Sequence, residues 1–117
     1  MNVNIRQKEG VTVLDIEGRI IGSDSLALKH IIDEQISIAE NGNVKMLLNM
    51  ADVRMMDSSG LGIIVSAYTS VQRKGGRIAL LNIGGNIKSL IVMAKLVTIF
   101  DRYDDEDDAT ASFQENP

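Results

Sequence analysis

Six consecutive residues, Asp57-Ser58-Ser59-Gly60-Leu61-Gly62, carry the densest chemistry in the chain. A carboxylate beside two hydroxyls can take up a phosphoryl group, accept hydrogen bonds from free backbone N–H groups, or do both. The run stands where the apolar stretch Val44-Lys45-Met46-Leu47-Leu48-Asn49-Met50 hands over to a segment with Leu61, Ile64, Val65, Tyr68 and Val71 at helical spacing. The stretch reads as a strand buried on both faces, and the segment as a helix over 59–74 with one core-facing stripe. The serines therefore sit at a helix mouth. A serine there serves as an N-cap, and a phosphate there would meet free N–H groups and the positive end of the helix dipole. On these residues alone, plain capping and phosphorylation both stay open. Met55-Met56 just before the run, with Gly60 and Gly62 inside it, read as an exposed loop tip that another backbone can approach closely.

The elements that must position this run alternate at short spacing. Val3 and Ile5 begin a first strand, Lys8-Glu9-Gly10 turns, and Val11, Val13, Leu14 and Ile16 form a second strand closed by Gly18, which together predict a hairpin. Ser23-Asp24-Ser25 offers N-caps for a helix with Leu28, Ile31, Ile32, Ile36 and Ala39 on one face, ending at Asn41-Gly42-Asn43. After the 59–74 helix, Gly75-Gly76 stops the chain, and residues 77–83 return as a buried strand. Gly84-Gly85-Asn86 opens a helix carrying Ile87, Leu90, Ile91 and Ala94, and Val97, Ile99 and Phe100 read as a short further strand. Residues from Asp104 onward are acidic, a terminal helix or a frayed one, expected to pack weakly. The pattern predicts one α/β domain over residues 1–117 with a partly parallel central sheet.

Composition narrows the function. At 117 residues the chain has room for one domain, and with 44% hydrophobic but only 3% aromatic residues its core must be aliphatic. A net charge of -4 argues against a nucleic-acid binder, which needs a basic patch. Zero cysteines exclude disulfides, thiolate metal sites and cysteine catalysis. Met1-Asn2-Val3-Asn4-Ile5-Arg6 lacks the apolar run of a signal peptide and no stretch approaches the roughly 20 residues needed to span a bilayer, so a cytoplasmic location without membrane contact is expected.

Other candidate chemistry is thin. Gly75-Gly76 and Gly84-Gly85 form neither a dinucleotide fingerprint nor a phosphate loop and read as helix stop and turn. His30, the only histidine, reads as a surface residue between Leu28 and Ile31, so no metal site is expected. The carboxylates Asp101, Asp104, Asp105, Glu106, Asp107 and Asp108 lack the spacing and internal glycine of a calcium loop. Around Ser58 there is neither the Gly-x-Ser-x-Gly elbow nor a histidine partner, so a hydrolase is not expected and the chain reads as a non-enzyme without cofactor.

The run Met56-Asp57-Ser58-Ser59-Gly60-Leu61-Gly62, followed by a helix and Lys74-Gly75-Gly76, resembles the STAS domain of bacterial anti-sigma factor antagonists. The resemblance covers nearly the whole chain. It implies an α/β fold with a mixed central sheet of about four to five strands and helices packed on it. It also implies that Ser58 is the phosphoacceptor, Ser59 the neighbouring cap, and the partner an anti-sigma factor that is also a serine-protein kinase, with a serine phosphatase to reverse it. Unphosphorylated protein would sequester that partner and free a sigma factor. The contact surface expected on this reading comprises Met55, Met56, Asp57, Ser58, Ser59, Gly60, Ile63 and Ser66. The family pattern often has an acidic residue shortly after the glycine that ends the second strand; here Gly18-Arg19-Ile20-Ile21 places Ile21 there, with Asp24 the nearest carboxylate. Lys95 before Leu96 likewise replaces a small residue, a change expected to affect only a helix end. The alternative is a non-phosphorylated STAS docking subunit of a transporter or other signalling complex.

Overall fold

The computed structural model describes residues 1–39 and 44–114. β1 (Asn2–Lys8) and β2 (Val11–Ile20) form the expected antiparallel hairpin, with Lys8 paired to Val11 across a two-residue turn. Glu9 and Gly10 both take positive φ, 52° and 80°, the mirror-image turn whose twist matches that of the strands. β2 continues past Gly18 to Ile20. Gly18 has φ 101°, and the pairing with the next strand shifts register at Gly18/Arg19, so it marks a bulge inside the strand and not its end.

Then follow α1 (Ser23–Ile38), β3 (Lys45–Met56), α2 (Ser58–Arg73), β4 (Arg77–Leu81), α3 (Gly85–Met93), β5 (Asp101–Tyr103) and α4 (Glu106–Gln114). The sheet order is β1-β2-β3-β4-β5, parallel everywhere except in the hairpin. Because strand side chains alternate between faces, the apolar runs feed two separate cores. Leu14, Ile16, Met46, Leu48, Met50, Ile78 and Leu80 face a large core shared with Leu28 and Ile32 of α1, Ile64 and Val71 of α2, and Ile87 and Ile91 of α3. Val11, Val13, Leu47, Ala79 and Leu81 face the other way, against Ala109 and Phe113 of α4.

Four further expectations need correction. β3 does not stop at Met50 but runs to Met56, so Met55 and Met56 belong to a strand and not to a loop. Val97, Ile99 and Phe100 form no strand; Phe100 is buried in the larger core, edge-on to Tyr68 at 5.6 Å, and the last strand is the polar Asp101–Tyr103 at the sheet edge. α1 starts without a side-chain cap after Gly22, and its expected end at Asn41-Gly42-Asn43 lies outside the described residues.

The fourth concerns the acidic segment, which packs firmly. Ala109 and Phe113, four residues apart on one helical face, are buried to 0% and 2% exposure. Glu106 pairs with Arg6 and with Lys8 (2.9 Å), Asp107 with Lys8 (2.8 Å), and the Arg77 guanidinium lies 4.6 Å over the Phe113 ring. The carboxylates of the first turn also suit the positive end of the helix.

Candidate functional site

The carboxyl end of β3 delivers Asp57 to the mouth of α2 in an extended conformation, φ -102° and ψ -175°. Its main chain is set on both sides: Asp57 N–H donates to Ile20 O (3.3 Å), and Asp57 O accepts the first helical bond from Leu61 N–H (3.1 Å). The side chain is the N-cap. Oδ1 accepts from Gly60 N–H at 3.1 Å and from the Ser59 hydroxyl at 2.5 Å, while Oδ2 accepts from Gly22 N–H at 3.2 Å, across from the start of α1. The Ser59 hydroxyl, the Gly60 N–H and the Gly22 N–H hold the Asp57 carboxyl below its ordinary range, because each donates to the charged form.

Ser59 is therefore not the cap. Its Oγ lies 2.8 Å from the Oγ of Ser25, which is 3% exposed, so it ties the Asp57 carboxylate to the first turn of α1. Aspartate takes the cap because it precedes the first helical residue; Ser59 already lies within the helix. Ser58 is the exposed first residue of α2, and its hydroxyl makes no hydrogen bond to another side chain among the described residues. A hydroxyl without a neighbouring base has no means of becoming a hydrolytic nucleophile on its own.

Met55, 48% exposed, stands on the solvent side of β3, whereas Met56, the next residue of the strand, is 2% exposed in the larger core. Gly60 is buried too: a Cβ there would lie 2.5 Å from Met56 Cγ and 2.9 Å from Ile20 O. Its glycine serves close packing of α2 on β2, and neither residue is part of an exposed loop tip. Gly62 is the open one, with nothing within 4 Å of a Cβ. Ile63 and Ser66 are half-buried, Ile63 against the core. Ile21 and Asp24 are half-buried in the turn into α1, where Asp24 N–H donates to Ile21 O (3.1 Å). His30 is exposed on α1, and no group of three His, Cys, Asp or Glu side chains suited to a metal occurs among the described residues.

Sequence reasoning missed three supports. Gly22 and Ser25 come to the site because β2 and β3 are parallel neighbours, which puts the starts of α1 and α2 side by side. Asn86, from the start of α3, accepts from Met56 N–H at 2.8 Å and pins the end of β3. No local signal marks either partnership, since both arise from strand order.

Residues 2–109 match the STAS domain family. The chain belongs to that family. Among its STAS relatives, an anti-sigma F factor antagonist of Paenibacillus polymyxa is 25% identical over 114 residues, 97% of this chain and 96% of that protein. An anti-sigma-B factor antagonist of Bacillus subtilis is 29% identical over 101 residues, 86% of this chain and 89% of the relative. The crystal structure of an anti-sigma factor antagonist from Mycobacterium paratuberculosis superposes with a TM-score of 0.83 at 20% identity, covering 97% of this chain and 93% of the other, which establishes the STAS fold. No described helix is long and apolar enough to cross a membrane.

Proposed function

We propose that this STAS domain is an anti-sigma factor antagonist, a cytoplasmic binding module and not an enzyme. In its unphosphorylated form it captures an anti-sigma factor with serine kinase activity, and phosphorylation of Ser58 ends the capture. The observation that carries this reading is the contrast between the two serines: Ser59 is engaged by Asp57 and Ser25, while Ser58 is exposed and its hydroxyl has no side-chain partner among the described residues. The partner brings ATP and magnesium and transfers the γ-phosphoryl group to Ser58 Oγ, with loss of the hydroxyl proton and departure of ADP. A serine phosphatase restores the hydroxyl.

The geometry explains why such a phosphate would act as a repulsive group. The N–H of Gly60 already serves Asp57, so a phosphate on Ser58 would find the helix mouth occupied by a carboxylate. Instead it would project outward, adding about 1.5 to 2 negative charges beside Asp57. A contact built on Met55, Asp57, Ser58, Ser59 and the neighbouring edge of α2 at Ile63 and Ser66 would then have to desolvate two anions. Binding would weaken accordingly.

The test is to incubate the protein with its cognate kinase and ATP, map the modified residue by mass spectrometry, and measure binding of Ser58→Ala and Ser58→Glu by calorimetry. Phosphate on Ser58, near-parental binding by Ser58→Ala and at least a tenfold loss in Ser58→Glu, about 1.4 kcal/mol, are expected. Equal affinity for all three proteins would leave a constitutive docking subunit as the reading.

A further inference from the structure

We infer that the partner of the Ser58 surface docks through an acidic face, along a contact that reaches an apolar and cationic patch at the end of α3, formed by Val92, Met93, Lys95 and Val97. This rests on the Ser58 reading given above. Between Asp57 and Asp101 the chain has no Asp or Glu at all but holds Arg73, Lys74, Lys88 and Lys95, besides Arg77, which is taken up by Asp101 and by Phe113 of α4, in a protein whose net charge is -4. α2 and α3 lie in this stretch and pack on the same face of the sheet. α2 and α3 carry no carboxylate, whereas α1, which packs beside α2 on the same face, holds Asp24, Asp33 and Glu34. The excess of positive charge is therefore local to α2 and α3, and charge complementarity there selects an acidic counterpart.

The apolar part of the patch is left over from folding. Ile87 and Ile91 satisfy the core with the inner face of α3, while Met93 is 80% exposed, Val92 52% and Val97 37%. Apolar side chains left in water beside one another mark a contact surface, and methionine adapts to a partner's shape. Lys95 forms no ion pair with another described residue.

Comparison of two helix ends supports a role for that lysine. α2 closes with Gly75 N–H to Gln72 O (3.0 Å) and Gly76 N–H to Val71 O (3.0 Å), with Gly75 at φ 72°. α3 closes the same way, Lys95 N–H to Val92 O (3.0 Å) and Leu96 N–H to Ile91 O (2.9 Å), but places Lys95 at φ 60°. The left-handed position suits glycine and disfavours a Cβ, so the fold alone does not ask for lysine there.

A protein fits this patch better than a bilayer. Two or three short apolar side chains and one or two lysines fall short of a single acyl chain, which itself binds membranes only marginally. The reach is sufficient. Asn86 sits against the end of β3 beside Asp57, and Met93 lies about 10 Å further along the helix, inside the footprint of a standard interface. A phosphate on Ser58 would then oppose the partner's own carboxylates as well as Asp57.

Calorimetric titration of the full chain with its cognate anti-sigma factor, at low and high salt, tests this. Met93→Ser and Lys95→Glu should each weaken binding about tenfold, and the parental affinity should fall as salt rises. Lys95→Gly should weaken binding by about threefold while its melting temperature holds or rises, separating contact from stability. Parental affinity in Met93→Ser and Lys95→Glu, alongside a loss in Ser58→Glu, would overturn the inference and leave the Ser58 reading standing. Parental affinity in Ser58→Glu would remove that reading itself. Binding of the parent, but not of Lys95→Glu, to phosphatidylglycerol vesicles would assign the patch to a membrane and also overturn the inference.

Discussion

The chain carries carboxylates at the starts of both α2 and α4, and the two regions use them in opposite ways. At α2 a single carboxylate, Asp57, gathers the N–H groups of Gly60 and Gly22 and the hydroxyl of Ser59, leaving the adjacent, exposed Ser58 without a side-chain partner among the described residues. At α4 Glu106 and Asp107 are drawn to Arg6 and Lys8, while the next turns bury Ala109 and Phe113. A carboxylate's effect depends on what it faces. The acidic run at the C-terminus, conspicuous in composition, is structural, and the lone aspartate frames the candidate switch.

If α4 is structural, removing its anchor should produce the largest change. Phe113→Ala should cost about 3–5 kcal/mol in urea unfolding, by analogy with other buried aromatic truncations. Deleting residues 110–117 should abolish cooperative unfolding, because Val11, Val13, Leu47, Ala79 and Leu81 would lose much of their cover. A truncated protein that melts like the parent would erase the distinction between the two regions.

That outcome bears on what the sequence made legible. The hairpin, the two buried parallel strands and the glycine stop at Gly75-Gly76 were readable, because period, turn residues and apolar runs are local signals. The packing of α4 is not legible because its charges dominate a short window, while the partners that neutralise them, Arg6 and Lys8, lie about a hundred residues earlier and meet it only through the fold. At the candidate site the hexapeptide and its helix mouth were legible, and Ser58 stands exposed. The cap expected of Ser59 is supplied by Asp57, and Met56 and Gly60, expected on the surface, are buried, because β3 runs six residues further than its apolar stretch.

Gly60 and Gly62 sharpen the comparison within the site. Gly60→Ala pushes a methyl against Met56 and the backbone of Ile20, and should destabilise by about 1–3 kcal/mol in denaturant titration. Gly62→Ala meets open space inside a helix and should stabilise by about 0.5–1 kcal/mol. Equal effects would mean that α2 does not pack on β2 as closely as described.

Acid should loosen α4. Hydrogen bonds from Arg6 and then Lys8 bring the Glu106 carboxyl from 4.5 down to about 2. A carboxyl lowered on folding contributes stability that is complete above its unfolded value and is lost as pH falls from about 4.5 towards 2. The pair network is partly solvated, so about 1 kcal/mol is expected to disappear over that window. Glu106→Gln should lack this part of the acid dependence while keeping the dependence due to Asp57, whose carboxyl is also lowered. An unchanged acid profile in Glu106→Gln would show that the α4 carboxylates are not structural.

The smallest effects should separate the two serines. Ser59→Ala removes the hydroxyl that binds both Asp57 and Ser25, and should lower stability by about 0.5–1.5 kcal/mol. Asp57→Ala, which removes the cap itself and the link to Gly22, should lower it further. Ser58→Ala removes a hydroxyl with no such partner and should stay within about 0.5 kcal/mol of the parent. Thermal and urea unfolding of the three variants, side by side, decide the matter. If Ser58→Ala proves as destabilising as Ser59→Ala, the Ser58 hydroxyl is engaged in holding the fold, and its freedom to accept a phosphoryl group, on which the contrast with α4 depends, is lost.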